Sequence, residues 1–365
     1  MKRTPENDPT GPPYEHPRRE VLPAARRVAR HSWESFDEMA TAIHDAKVRA
    51  FITGRQTRHW TLDAWSAGSS LVQRAVEGAA VSGSGTLDEG RIGYFLTGER
   101  SASRRCNGEE LDAGKAFRWG PGAEISSLSR RSTEWIALTV TPEAARHAGS
   151  VLEGEPATER PVEPGTSGAP PPDVTAFRRL LEGAMRAMDD AGPAGLHPEA
   201  ARNLEESLAL AGARLFAPRD RAGAARGRLA FDRARVLSRV EEFLAAAGSE
   251  PVYVTALCER LGLSERTLRY VFEEQFGASP IRILRSRRLC EVRGALRAAP
   301  PGARVSEIAG RFGFWHLGQF ATDYRNLFGE RPSETLRRAR SRPASGRGPE
   351  PGGLAAWAEG SGRLA

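Results

Sequence analysis

The feature that most constrains this chain is a pattern that occurs twice near its end. Residues 254–276 read VTALCERLGLSERTLRYVFEEQF. Ala256, Leu257 and Leu261 share one face of a short helix. Gly262 supplies the backbone freedom of a tight turn, and Leu263 plugs it. Ser264 suits the cap of the next helix, because its hydroxyl accepts from an unpaired first-turn amide. In that second helix Leu268, Val271 and Phe272 recur at i, i+3 and i+4 and face inward, leaving Glu265, Arg266, Arg269 and Tyr270 outside. Residues 304–328, RVSEIAGRFGFWHLGQFATDYRNLF, repeat the arrangement. Val305, Ile308, Ala309 and Phe312 make the first helix, Gly313 the turn and Phe314 the plug. Phe320, Tyr324 and Phe328 pack the second helix, and His316, Leu317, Gly318, Gln319 and Thr322 point out. Gly329 closes that helix and Pro332 opens another. Both units have the form of a helix-turn-helix, whose second helix offers long donors to a DNA major groove.

Between the copies, residues 280–298 read PIRILRSRRLCEVRGALRA. Ile281, Leu284, Leu289, Val292 and Leu296 are expected to form the core face of one connecting helix, with Arg282, Arg285, Arg287, Arg288 and Arg293 around the rest as a mixture of phosphate contacts and solvated surface. A rigid connector would hold two reading heads for successive major-groove turns, about 34 Å apart. Charge supports a polyanion partner. Residues 226–340 hold 21 Arg and no Lys against 13 acidic residues, a balance of +8, whereas the whole chain carries +7. A basic excess confined to one region is an electrostatic footprint, although charge alone does not separate DNA from RNA or an acidic membrane.

At these residues the chain resembles the AraC/XylS regulators. GF followed by FATDYRNLFGERPSETLR is similar to that family's signature, and LGLSERTLRYVFEEQFGASPIRILRSRRL to its first unit. The resemblance covers about 110 residues and implies a sequence-specific, DNA-binding transcription regulator that engages double-stranded promoter DNA through both heads, and RNA polymerase if it activates. Matched to the family motif, Arg266, Arg269 and Tyr270 face base edges. Glu265 orients an Arg or accepts from cytosine, and Ser264 and Thr267 serve as caps or phosphate contacts. In the second head His316 and Gln319 are the polar candidates, with Thr322 behind them. Leu317, Gly318 and Ala321 are apolar or small there, which points to thymine-methyl contact or shape readout. Trp315 is assigned to the core in preference to DNA.

Ahead of this region, residues 33–151 read as short strands separated by Gly, Ser, Asn and Asp clusters: Leu71–Val76, Arg91–Leu96, Ala116–Trp119 and Trp135–Val140. The family layout implies a cupin-like β-barrel that binds a small effector or mediates dimerisation, and Arg105–Ser129 resembles the barrel turn of such domains. The fold class expected is therefore α+β and multidomain: a cupin-like barrel, a helical pair at 174–218, and an all-α double helix-turn-helix over 228–340. Phe177, Leu180, Leu181 and Met185, with Leu204, Leu208 and Leu215, give the pair its apolar faces, a candidate homodimer interface. Residues 152–173 read as a linker, and 1–32 and 341–365 as disordered arm and tail.

No catalytic role and no cofactor is expected. His44, His59 and His147 are isolated, without the spacing of metal ligands. GSGTLDEG at 83–90 lacks the Lys of a phosphate loop and reads as a hairpin turn. Cys106 stands beside Arg104 and Arg105, which suits a reactive thiol, yet an ordinary barrel cysteine is the favoured reading. Trp60, Trp65, Phe95, Phe117, Trp119 and Trp135 are read as core more readily than as an effector pocket. Three distant cysteines, no apolar run of membrane-spanning length and no signal-peptide stretch lead to the expectation of a cytoplasmic, nucleoid-associated protein without membrane contact.

Overall fold

Strict alternation of side chains across a strand lets one sheet serve two cores, and Ile92–Thr97 shows how. Every residue of that strand is buried. Ile92, Tyr94 and Leu96 point to a helical layer, while Phe95 points to a second sheet. The computed structural model describes residues 25–33, 36–99, 101–153, 162–217, 239–240, 243 and 252–341.

The strands, in chain order, are β1 (Arg26–Trp33), β2 (Ala46–Ile52), β3 (Trp60–Ala67), β4 (Ser70–Glu77), β5 (Val81–Leu87), β6 (Ile92–Thr97), β7 (Arg104–Cys106), β8 (Glu109–Leu111), β9 (Phe117–Trp119), β10 (Glu124–Ser129), β11 (Thr133–Val140) and β12 (Gly165–Thr166). They pair antiparallel in two sheets, ordered β1-β3-β4-β11-β6-β9-β12 and β2-β5-β10-β7-β8. The helices are α1 (Phe36–Ala42), α2 (Pro142–Glu153), α3 (Pro171–Asp190), α4 (Pro198–Leu215), α5 (Val254–Leu261), α6 (Glu265–Phe276), α7 (Pro280–Arg297), α8 (Val305–Arg311), α9 (Leu317–Phe328) and α10 (Pro332–Ser341).

A sheet-rich N-terminal domain thus precedes a helical C-terminal region, as expected, but the strands form two facing sheets that do not close into one barrel. Trp60, Phe95, Phe117, Trp119 and Trp135 fill the space between the sheets, and Phe95 meets Trp119 and Trp135 at ring-centroid distances of 5.5 Å. Trp65 belongs to the other core, under the helices. Each fully buried aromatic side chain of this kind stabilises the fold by roughly 1.5–3 kcal/mol. Glu77 is buried here as well. It pairs with Arg104, accepts from Trp135 Nε1 at 3.0 Å and from Ser129 Oγ at 3.2 Å, so its charge is compensated inside the sandwich.

Several boundaries differ from the sequence reading. Residues 26–32, assigned to the arm, form β1, which pairs with β3 from Arg26↔Ser66 to Trp33↔Trp60. The Gly83–Gly90 stretch is strand up to Leu87, with only the turn at its end. Its glycines are there for closeness: a Cβ on Gly85 would lie 2.1 Å from the Lys47 carbonyl oxygen across the β2 pairing. Within the 152–173 linker, β12 pairs with β9 and α3 begins at Pro171. The apolar faces of α3 and α4, a candidate dimer interface, are occupied within the chain. Phe177, Leu181, Met185 and Leu208 pack on Trp65, Tyr94, Leu96 and Ile136 of the seven-stranded sheet. Residues 1–24, 218–238 and 342–365, which include most of the arm, the start of the helical domain and the tail, lie outside the described residues.

The C-terminal helices do not stand apart from the sandwich. Cys290 Sγ on α7 lies 3.9 Å from the Ile52 carbonyl at the end of β2, and the Gln56 amide donates to the Leu327 carbonyl at 3.2 Å. One continuous core joins the inner sheet face to α7, α8, α9 and α10, whereas Leu257, Leu261, Leu268, Phe272, Ile283 and Leu284 form a separate core for the first head.

Candidate nucleic-acid interface

The first head is built as its sequence dictates. α5 ends at Gly262 in the left-handed region, φ +65°, where a side chain is disfavoured. Ser264 Oγ accepts from the Thr267 amide at 3.1 Å and starts α6. Leu268 and Phe272 are fully buried and Val271 nearly so. That packing fixes the opposite face, where Ser264, Glu265, Arg266, Thr267, Arg269 and Tyr270 are all exposed. Tyr270 is 58% exposed, unusual for so large a ring. Glu265 lies 3.8 Å from Arg269 one turn on, with both side chains more than half in solvent, so the pair orients the guanidinium without locking it.

The second head keeps the same frame. Ile308, Ala309, Phe312 and Phe314 are buried behind the turn at Gly313, φ +75°, and Phe320, Tyr324 and Phe328 pack beneath α9. Tyr324 Oη and Thr335 Oγ1 are hydrogen-bonded at 2.8 Å, tying α9 to α10. His316 is the residue before α9 and makes no side-chain cap; His316, Leu317, Gln319 and Thr322 are exposed. Two of these polar groups are partly engaged within the helix. Gln319 Nε2 donates to Asp323 Oδ1 at 2.9 Å, and Thr322 Oγ1 donates to the Gly318 carbonyl at 3.0 Å. The second face therefore offers fewer free donors than the first.

Three expectations are corrected here. Trp315, assigned to the core, is 77% exposed. Phe314 already fills the turn, so its neighbour is turned outward and lies against Gly310, where a Cβ would be 3.8 Å from the indole. Ile281, assigned to the core face of the connecting helix, is 58% exposed. The arginines of α7 are largely structural. Arg287 and Arg293 are 3% and 5% exposed. Arg287 pairs with Glu291 at 2.9 Å, and Arg293 pairs with Glu330 at 3.2 Å and lies over the Phe328 ring at 4.6 Å. Arg285 pairs with Asp323, and Arg288 lies over Phe314 at 5.6 Å and Tyr253 at 5.8 Å. Burial pushes the Glu291 carboxyl up to about 7, against the pull of Arg287 and Arg288, and lowers both guanidinium groups. Of the five arginines named from the sequence, Arg282 is the one left on the exposed side.

Beside the second head lies a feature the sequence did not reveal, an open concavity of about 950 Å³. Ser306 at the start of α8, Thr322 and Arg325 of α9, and Arg331 and Ser333 at the start of α10 line it, together with Arg55 from the N-terminal domain. No carboxylate is among its described lining residues. Arg325 and Arg331 were part of the basic balance, but only the packing of α9 against α10 puts both on the lining of one concavity.

Cys106 does not suit redox chemistry. It is fully buried, and burial pushes its thiol up to about 12 despite Arg104.

A family model described as a helix-turn-helix domain matches residues 257–338. The chain is 29% identical over 270 residues to a probable thc operon regulatory protein of Rhodococcus erythropolis, covering 72% of this chain and 74% of that one. It is 36% identical over 107 residues to the XylDLEGF operon transcriptional activator of Pseudomonas putida, covering 29% of this chain and 33% of that protein. The match therefore spans a third of that activator's length. A crystal structure of the AraC-like transcriptional activator CuxR aligns over 78% of this chain and all of its own at 16% identity, with a TM-score of 0.37.

Proposed function

We propose that the chain is an AraC/XylS-type transcription regulator with a helix-turn-helix DNA-binding domain and that it recognises promoter DNA chiefly through its first head. The observation that carries this reading is the asymmetry of the two recognition helices. α6 presents Arg266, Arg269 and Tyr270 from a face with one loose internal ion pair, whereas α9 presents Leu317, a bare Gly318, and Gln319 and Thr322 already hydrogen-bonded along the helix. Arg266 and Arg269 reach guanine edges, and Ser264 and Thr267 position the helix on phosphates. The second head contributes His316, Leu317, Gln319 and Thr322 to a shallower, shape-dependent contact. Because α7 is packed into both heads, the two helices keep a fixed separation and enter successive major-groove turns, about 34 Å apart.

The N-terminal sandwich is the sensory or dimerisation part, taking a small effector or a second copy of the chain, and RNA polymerase is the further partner when the protein activates. Its role is regulation rather than catalysis, and its place is the cytoplasm, at the nucleoid. No helix among the described residues is long and apolar enough to cross a membrane.

The test is selection of duplexes from a random pool by the purified full-length chain, followed by binding to every single base-pair variant of the enriched duplex. Arg269→Ala flattens preference at one position under α6, while Gln319→Ala changes preference little. Equal flattening by both variants overturns the asymmetry, and failure to enrich any duplex overturns DNA recognition itself.

A further inference from the structure

We propose that Arg55, in the β2–β3 loop of the N-terminal domain, belongs to the DNA-binding surface and takes a backbone phosphate in the concavity beside the second head. The proposal rests on the reading of that head as DNA-binding and extends it across the domain boundary.

Position comes first. The loop that carries Arg55 is held at both ends: the Thr53 amide donates to the Ala80 carbonyl at 2.9 Å, and the Thr57 amide to the Gly78 carbonyl at 2.7 Å. In its middle the Gln56 amide donates to the Leu327 carbonyl of α9 at 3.2 Å. The loop is thus pinned to the recognition helix at the residue next to Arg55. Arg55 itself is exposed and lines the concavity with Arg325 and Arg331. Among the described residues it has no carboxylate partner, and none lines the concavity.

Chemistry then selects the ligand. Three arginines, Arg55, Arg325 and Arg331, line one space with the hydroxyl-bearing Ser306 and Ser333, and that space is open to solvent and bounded by the recognition face of α9. Guanidinium matches a phosphate oxygen pair in geometry and charge. A phosphodiester strand running beside a helix seated in the major groove passes along such an edge, and phosphate contacts from side chains outside the groove fix the register of the reading helix. Arg55 therefore makes the N-terminal domain a direct contributor to affinity.

The experiment measures affinity of the full-length chain for a duplex enriched by the wild type, as a function of salt. One phosphate contact contributes about 0.9 to the log–log salt slope, which makes binding about eightfold weaker at roughly 0.1 M salt when it is lost. Arg55→Ala and Arg55→Gln are expected to show that loss with an unchanged ranking of base-pair variants, and Arg55→Lys to retain the slope. Reading Ala and Gln together separates a lost contact from a folding loss. Arg186→Ala, an exposed charge removed from α3 under the other core, controls for net charge and leaves the slope unchanged. An unchanged slope in both Arg55 variants overturns the proposal, as does tighter binding, which would make Arg55 an obstruction to DNA. An equal loss in Arg186→Ala overturns it too. If the wild type enriches no duplex, the DNA-binding reading falls with it, a result distinct from Arg55 variants that bind as the wild type does.

Discussion

Arg287→Ala separates two meanings of a basic helix. By sequence, this arginine belongs to a row divided between phosphate contacts and solvated surface, with Arg287 itself on the phosphate side. In the structure it is 3% exposed and 2.9 Å from Glu291, which is 6% exposed. Removing it leaves a buried carboxylate without its main partner, which costs about 3–5 kcal/mol. The sign with pH follows from Glu291, whose folded value stands at about 7 against an ordinary 4.5. Between those values the folded chain holds more protons than the unfolded one, so stability from this group is fully present below about 4.5 and falls as pH rises to about 7, by about 3 kcal/mol. Without Arg287 the carboxyl rises further, so the fall extends to higher pH. Urea melts of wild type and Arg287→Ala near pH 5 and near pH 8 measure this. The variant is expected to lose least at the acid end, where Glu291 is neutral, and most at the alkaline end. The salt slope of DNA binding by the folded fraction stays at the wild-type value. A variant that melts with the wild type at both values while its salt slope drops by about one unit would return Arg287 to the phosphate contacts and refute the buried-pair reasoning.

Other consequences are simpler to read. Arg269→Ala is expected to cost about 1–3 kcal/mol at one base pair and relax preference there, checked by binding to base-pair variants; uniform weakening across all of them would make it a phosphate contact. Trp315→Ala leaves the melting curve within about 0.5 kcal/mol of wild type, because the indole is already in solvent. A loss of about 3–5 kcal/mol in the same melt would instead restore it to the core. Cys106 resists alkylation at neutral pH in the folded chain and reacts only on unfolding, checked by mass mapping of labelled thiols; rapid native labelling would contradict its burial.

Much of the C-terminal domain was legible in the sequence because its determinants are local. Gly262 and Gly313 sit where a left-handed turn must be, Ser264 caps the helix that follows it, and Leu268, Phe272, Phe320 and Tyr324 repeat at the helical period that puts them inside. The outward faces of both recognition helices follow from the same spacing, and the sheet-rich front was visible as short runs between turn residues. What resisted was everything set by residues distant in sequence. Arg285, Arg287, Arg288 and Arg293 look alike along the chain, and only the approach of α9, α10 and β2 turns them from surface charges into buried pairs and ring contacts. Trp315 was misplaced although Phe314 was already read as the plug of the turn, because whether the core has room for a second ring beside it is a matter of tertiary packing. The faces of α3 and α4 were apolar by sequence, but their partner, the outer face of the seven-stranded sheet, was a tertiary decision. Sequence alone determined that two helix-turn-helix heads exist and which side chains of each recognition helix face outward, because helical period, caps and turn glycines act within a few residues. The tertiary structure decided which charges remain available to a nucleic acid, and brought Arg55 beside the second head, because burial and electrostatics depend on which surfaces meet.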